Sequence, residues 1–235
     1  MKSLSAPLLA EDLLLVLFQP ESGTIAGENT LSHVLAGAVL ADLAFDESVT
    51  TTTTRTGSVG VTAVEGRVPS DEMLRWAWDY AADTPGGVQA MLAAIGPALR
   101  QRLLERLIAR GDIREENGKV LGVLKTSTLK DGGSGRRSDL IRDVRNILVD
   151  GAQPTPRVAA LAALLWVSGT LHQFGPEMPW TSVVITRAQE LTRGHWSAEG
   201  ASMAVARTTA AIVGVIAATA LTPDEELGEG PRDGS

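Results

Sequence analysis

Residues 99–125 read LRQRLLERLIARGDIREENGKVLGVLK, and three features of this stretch decide the fold. Leu99, Leu103, Leu104, Leu107 and Ile108 recur at three- and four-residue steps, which puts them on one helical stripe. Gly111 follows where a left-handed residue closes a helix, a position that glycine fills without a Cβ clash. Residues 113–115 and 119–124 then flank Glu116-Asn117-Gly118, and Asn-Gly between such runs is the strongest short-range hairpin signal. The expected unit is a helix, a glycine stop and a β-hairpin turning at Asn117-Gly118.

Working outward, most of the remaining chain also reads as helix. Residues 8–18 (LLAEDLLLVLF) are almost wholly apolar, and Pro20 and Gly23 end the run. Thr30 or Ser32 is the expected cap of a second helix through Phe45, with Leu31, Leu35, Val39 and Leu43 at four-residue steps. Ser70 is the expected cap of a third, in which Trp76, Trp78 and Tyr80 read as core. Ser138 is expected to cap a helix through Val149, and Thr155-Pro156 opens another that spans 158–174. Two final helices are expected over 181–191 and 198–221. Between the second and third helices, five consecutive threonines (Thr50 to Thr54) change the texture. β-branched side chains fit pleated surfaces, so short strands are expected over 48–55 and 59–64.

The fold class is therefore mainly α: a compact single-domain helical fold over residues 1–221, with a β-hairpin and a few short strands. Residues 222–235, rich in Glu, Gly, Asp and Pro, read as an acidic disordered tail. A length of 235 residues suits one domain, and 44% hydrophobic with 21% charged residues is ordinary globular composition. Cysteine is absent, which excludes disulfides and thiolate metal sites and makes a reducing, cytoplasmic location the expectation. Residues 1–10 carry no signal-peptide pattern. The apolar stretch 203–221 contains Arg207 and several threonines, so it reads as a core helix rather than a membrane span.

Charge is unevenly placed. The net charge is −7, yet residues 99–145 hold 12 Lys/Arg against 7 Asp/Glu. Such asymmetry suits one face meeting an anionic surface. Arg100, Arg102, Arg106 and Arg110 lie on the polar sides of the 99–110 helix, and Arg136, Arg137, Arg142 and Arg145 follow the hairpin. Arginine's planar fork matches phosphate. A solvated face is the plainer reading, with Glu105 and Asp143 within ion-pair reach of several of these arginines.

No constellation of catalytic residues emerges. His33, His172 and His195 lie far apart and in no metal-ligand spacing. Gly118-Lys119 lacks the glycine spacing and the following Ser/Thr of a phosphate-binding loop. Glu11-Asp12 and Asp71-Glu72 are sequence neighbours, and on a helix such neighbours do not face each other. The expectation is a protein that is not an enzyme and uses neither cofactor nor metal.

The order of segments resembles the Golgi phosphoprotein family. The resemblance is carried by LLAEDLLLVLFQPESGTI, LAGAVLADLAF, PSDEML and LRQRLLERLIARGDI with its hairpin. It continues through IRDVRNILVDGAQPTPRVAALAALLWVSGTL and the closing alanine-rich helix. It covers residues 8–221 and implies a helical domain that binds phosphatidylinositol-4-phosphate, with a hairpin used in self-association and membrane contact. In that likeness the hairpin contact falls on Val120, Leu121, Val123 and Leu124. The family's phosphate contacts fall at Gly27, Ala36, Pro97 and Arg100, of which Arg100 alone keeps an arginine, and Arg102 is a neighbouring cation.

The function expected from these readings is a peripheral protein at the cytoplasmic membrane face, binding an anionic lipid through Arg100 and Arg102. Homo-oligomers through the hairpin are a possible extension. Two other classes stand beside it. A helix running directly into a hairpin also suits a winged-helix nucleic-acid binder, which the acidic remainder of the chain opposes. A scaffold that meets only protein is the third.

Overall fold

Every residue of α1 (Leu9–Leu17) is buried, Glu11 and Asp12 included, so the first helix is the centre of the molecule rather than its edge. The computed structural model describes residues 5–84, 86–120, 124–175, 177–194 and 203–220. Beyond α1 come α2 (Glu28–Phe45), α3 (Glu72–Asp83), α4 (Val88–Arg110) and α5 (Arg136–Leu148). The remaining helices are α6 (Pro156–Val167), α7 (Ser182–Thr192) and α8 (Met203–Ala220), with a 3-10 turn at Leu171–Phe174. The fold is mainly α, as expected.

Two helices form the inner layer. α2 buries Leu31, Val34, Leu35, Val39, Leu40 and Leu43, the stripe read from the sequence, and small residues let its neighbours approach closely. A Cβ on Gly96 of α4 would lie 2.6 Å from the Ser32 carbonyl oxygen, so the α2–α4 crossing depends on its absence. α4 is longer than the 99–110 stripe because it runs through Pro97, which removes one N–H without ending the helix.

The strands form three small antiparallel sheets. β1 (Phe18–Gln19) pairs with β2 (Thr24–Ile25). β3 (Val49–Thr53), β4 (Val59–Ala63) and β5 (Gly86–Gly87) form a three-stranded sheet in that order, so the threonine run is a strand. β6 (Ile113–Val120) pairs with β7 (Leu124–Asp131).

Several boundaries differ from the sequence expectation. Asn117 pairs with Ser127 inside the β6–β7 ladder, so the chain reverses between Val120 and Leu124 instead of at Asn117-Gly118. Eight cross-strand pairs extend the hairpin past the local Asn-Gly signal. Gly27, at φ 75°, starts α2, and the Thr30 hydroxyl instead donates to the Gly27 and Ser168 carbonyls at 3.3 and 3.1 Å. Asp71 rather than Ser70 caps α3, accepting from the Met73 and Leu74 amides. Gly135, at φ 78°, holds the cap position of α5, three residues before the expected Ser138. The 158–174 helix is broken: the Ser168 hydroxyl donates to the Leu165 carbonyl and Gly169 turns left-handed at φ 73°. Gly111 (φ 78°) and Thr155 cap as expected, and Thr181 caps α7. The last helix begins at Met203, and residues 198–202 and the 222–235 tail lie outside the described residues. Among the described residues, no helix is long and apolar enough to cross a membrane.

Candidate functional site

The 99–145 region was the candidate anion-binding surface, and the positions of its arginines follow from α1. A buried carboxylate must find a cation or become neutral. Glu11, with no exposure, accepts from Arg106 Nε at 2.8 Å and Arg110 Nε at 2.5 Å, both from α4. The Arg106 guanidinium also grips Asp71, at 2.7 and 3.1 Å, and its Nη2 meets the Ser5 hydroxyl at 3.1 Å. Asp12 faces a different pair: Arg136 of α5 and Arg157 of α6, the latter at 2.5 Å. Arg136 bridges on to Asp112, the residue after the Gly111 cap. The neighbours Glu11 and Asp12 thus diverge, tying α4 to one side of α1 and α5 and α6 to the other.

The electrostatics of this hub are mixed. Burial pushes Asp42 up to about 7, outweighing Arg157 and the Leu9 and Ala10 amides that favour its charged form. Burial also works on Asp71, but the Arg106 and Ser5 hydrogen bonds prevail and hold its carboxyl below the usual range. Arg106 and Arg136 are raised despite their burial, because Asp71 and Glu11 face the first and Asp12 and Asp112 the second. Arg137 is lowered by burial; its guanidinium donates to the carbonyls of Phe18 at 2.9 Å and Val16 at 3.4 Å.

These contacts correct the charge expectation. Glu105 bonds to Gln101 at 3.0 Å rather than to an arginine. Besides Asp112, Glu116 and Asp139 from within, acids from outside the region meet it: Glu11, Asp12, Glu28, Asp71 and Asp150. Those five match the region's formal excess of five positive charges. Arg106, Arg110 and Arg136 are therefore internal to the fold, whereas Arg100, Arg114, Arg142 and Arg145 stand in exposed pairs.

Arg100 and Arg102 are not brought together. Two residues apart on α4, they point about 200° away from each other. Arg100 stands 3.7 Å from Glu28 in an exposed pair, so its guanidinium is accessible. Arg102 lies over the Trp76 ring at 4.7 Å, a cation–π contact, while the Trp78 indole donates to the Ser48 carbonyl at 3.0 Å. Gly27 has no room for a larger side chain, since an added Cβ would lie 2.8 Å from Thr170 Cγ2. Ala36 is fully buried and Pro97 sits within α4.

Arg142 and Arg145 of α5 stand in exposed pairs with Asp139 and Asp150, and the hairpin carries four more cations. Arg114 opposes Lys130, Lys119 opposes Lys125, and Val120 opposes Leu124. Leu121 and Val123 lie outside the described residues. Sequence reasoning missed the α1 hub; its signal was Glu11-Asp12 inside a run of leucines, two charges that burial would force into pairs.

Two comparisons bear on this arrangement. The family model described as Golgi phosphoprotein 3 (GPP34) matches residues 9–208. No curated protein matches the chain.

Proposed function

This chain belongs to the Golgi phosphoprotein 3 (GPP34) family, and we propose that it is a peripheral membrane protein that binds phosphatidylinositol-4-phosphate or another anionic lipid, without catalytic activity. The observation that carries the reading is the register of the hairpin. Arg114 opposite Lys130 and Lys119 opposite Lys125 set like charges at matching positions, with the apolar run of residues 120–124 joining the strands. Like charges directly opposite repel, and an anionic surface relieves that repulsion. Arg100 is an accessible arginine of α4 that adds a headgroup contact, at the cytoplasmic face of the membrane. Arg102 contributes charge from a separate face of the same helix.

Self-association through the same hairpin is the second reading. Two-stranded sheets are marginal alone in water, and β6–β7 has no third strand among the described residues. A second copy covering Val120, Leu121, Val123 and Leu124 would stabilise it as well as a bilayer would.

Liposome flotation tests the first reading. Binding to phosphatidylcholine vesicles containing phosphatidylinositol-4-phosphate or phosphatidylserine, lost at high salt and absent from pure phosphatidylcholine, supports it. Equal binding to neutral and anionic vesicles, or binding to neither, contradicts it. Light scattering of wild type against Val120→Asp/Leu124→Asp tests self-association.

A further inference from the structure

Among the described residues, the large hydrophobic side chains most open to solvent are Val68, Trp180 and Val183, at 47%, 52% and 53% exposure. Two of the three sit together where α7 begins, on either side of its capping Thr181. Trp180 is not loose. Its ring stacks on Trp166 of α6, with centroids 5.7 Å apart and planes 17° from parallel, and His172 meets it edge-on at 6.0 Å. The indole is therefore presented in a fixed pose and loses little freedom on binding.

The chemistry around this aromatic knob is unusual for an acidic protein. From residue 158 to residue 186 the only charged residue is Glu177. Contacts lead from the knob to one cation: Thr170, two residues before His172, packs at Gly27, next to the Glu28–Arg100 pair. An exposed, rigid tryptophan and a valine in a stretch that holds one charged residue, with the exposed Arg100 reached through Thr170 and Gly27, suit the interfacial zone of an anionic bilayer. There the indole ring sits among headgroups and lysine or arginine meets phosphate. A water-soluble polar partner would have few charges to recognise on this surface.

Resting on the lipid-binding reading, we infer that Trp180, backed by Trp166 and flanked by Val183, is an interfacial anchor that inserts beside the cationic contact when the protein meets an anionic membrane. The hairpin and Arg100 supply salt-sensitive attraction. Trp180 and Val183 supply an apolar contribution that salt does not screen.

The test is flotation of the full chain on phosphatidylcholine vesicles, alone or with phosphatidylserine or phosphatidylinositol-4-phosphate, at low and high salt, with urea midpoints measured in parallel. Trp180→Ala is expected to weaken binding to anionic vesicles about tenfold, and Val183→Ser by less. Trp180→Phe keeps a stacking ring but lacks the indole N–H, and should fall between wild type and Trp180→Ala. The ratio of wild type to Trp180→Ala should stay the same as salt rises. Val183 is exposed, so Val183→Ser keeps the inference testable if Trp180→Ala unfolds. If wild type binds and both variants bind equally well, this inference is overturned and the lipid-binding reading stands. If wild type binds no vesicle, both are overturned. If the variants alter only the oligomeric state seen by light scattering, the patch is a protein contact and the inference is wrong.

Discussion

Asp42 Oδ2 lies 2.7 Å from the backbone nitrogen of Leu9, so α2 caps an amide of α1 that Glu11, which accepts from Leu8 at 3.3 Å, does not reach. The residue before α1 is Leu8, whose side chain can accept nothing, and the first amides of a buried helix must be satisfied by some partner. Asp42 also receives Arg157 at 3.3 Å, which α1's own Asp12 shares.

The first prediction concerns pH. Asp42 titrates at about 7 in the fold against 3.8 as its ordinary value, so the folded state holds a proton that the unfolded chain has released. Its contribution to stability is fully present below about pH 4 and is lost as pH rises to about 7. Asp71, held low, acts in the opposite sense and loses its contribution as the solution becomes acidic. Asp42→Asn keeps a polar group beside Leu9 and removes the first of these slopes. Urea denaturation at pH 5 and pH 7.5 should show wild type losing stability relative to Asp42→Asn as pH rises, on the order of a few kcal/mol. Parallel profiles would count against this account of Asp42.

Arginines that looked alike in sequence should behave differently. Arg106→Ala leaves Asp71 without its guanidinium and takes one of two arginines from fully buried Glu11, so a loss of about 3–5 kcal/mol is expected. Arg100→Ala removes a 3.7 Å exposed pair and should change stability by less than about 0.5 kcal/mol. Urea unfolding of the two variants measures the contrast.

Gly27 should tolerate no substitution. Its φ of 75° disfavours L side chains, and a Cβ would meet Thr170 at 2.8 Å. Gly27→Ala is expected to destabilise by about 1–3 kcal/mol. Gly57, also left-handed but with open space around it, should cost less under the same change. Comparing the melting temperatures of the two alanine variants separates steric contact from backbone conformation.

How far the sequence could be read depended on whether the cause was local. The Gly111 and Thr155 caps and the α2 stripe were legible because each depends on side chains within a turn or two. The Asn117-Gly118 turn was misread because eight cross-strand pairs, beyond any short window, fix the register. The basic surface was misread for a related reason: Arg106, Arg110 and Arg136 meet acids about 35 to 124 positions away. What did survive on the surface is Arg100, along with Arg114 of the hairpin, while Trp180 is prominent only once Trp166 is seen behind it.

Nucleic acid offers a separate check on the charge account. With the basic region's excess matched by Glu11, Asp12, Glu28, Asp71 and Asp150, no retention of duplex DNA is expected in a low-salt filter assay. Retention that falls steeply with salt would favour a nucleic-acid binder instead.

The most direct test of the central claim, that the hairpin cations rather than the hub arginines drive membrane contact, is flotation of Lys119→Glu/Lys125→Glu on anionic vesicles. At about 1 kcal/mol per basic residue near the surface, reversing both charges should weaken binding by more than about tenfold. The urea midpoint should stay where it is in wild type. Binding undiminished by the double reversal would contradict the account.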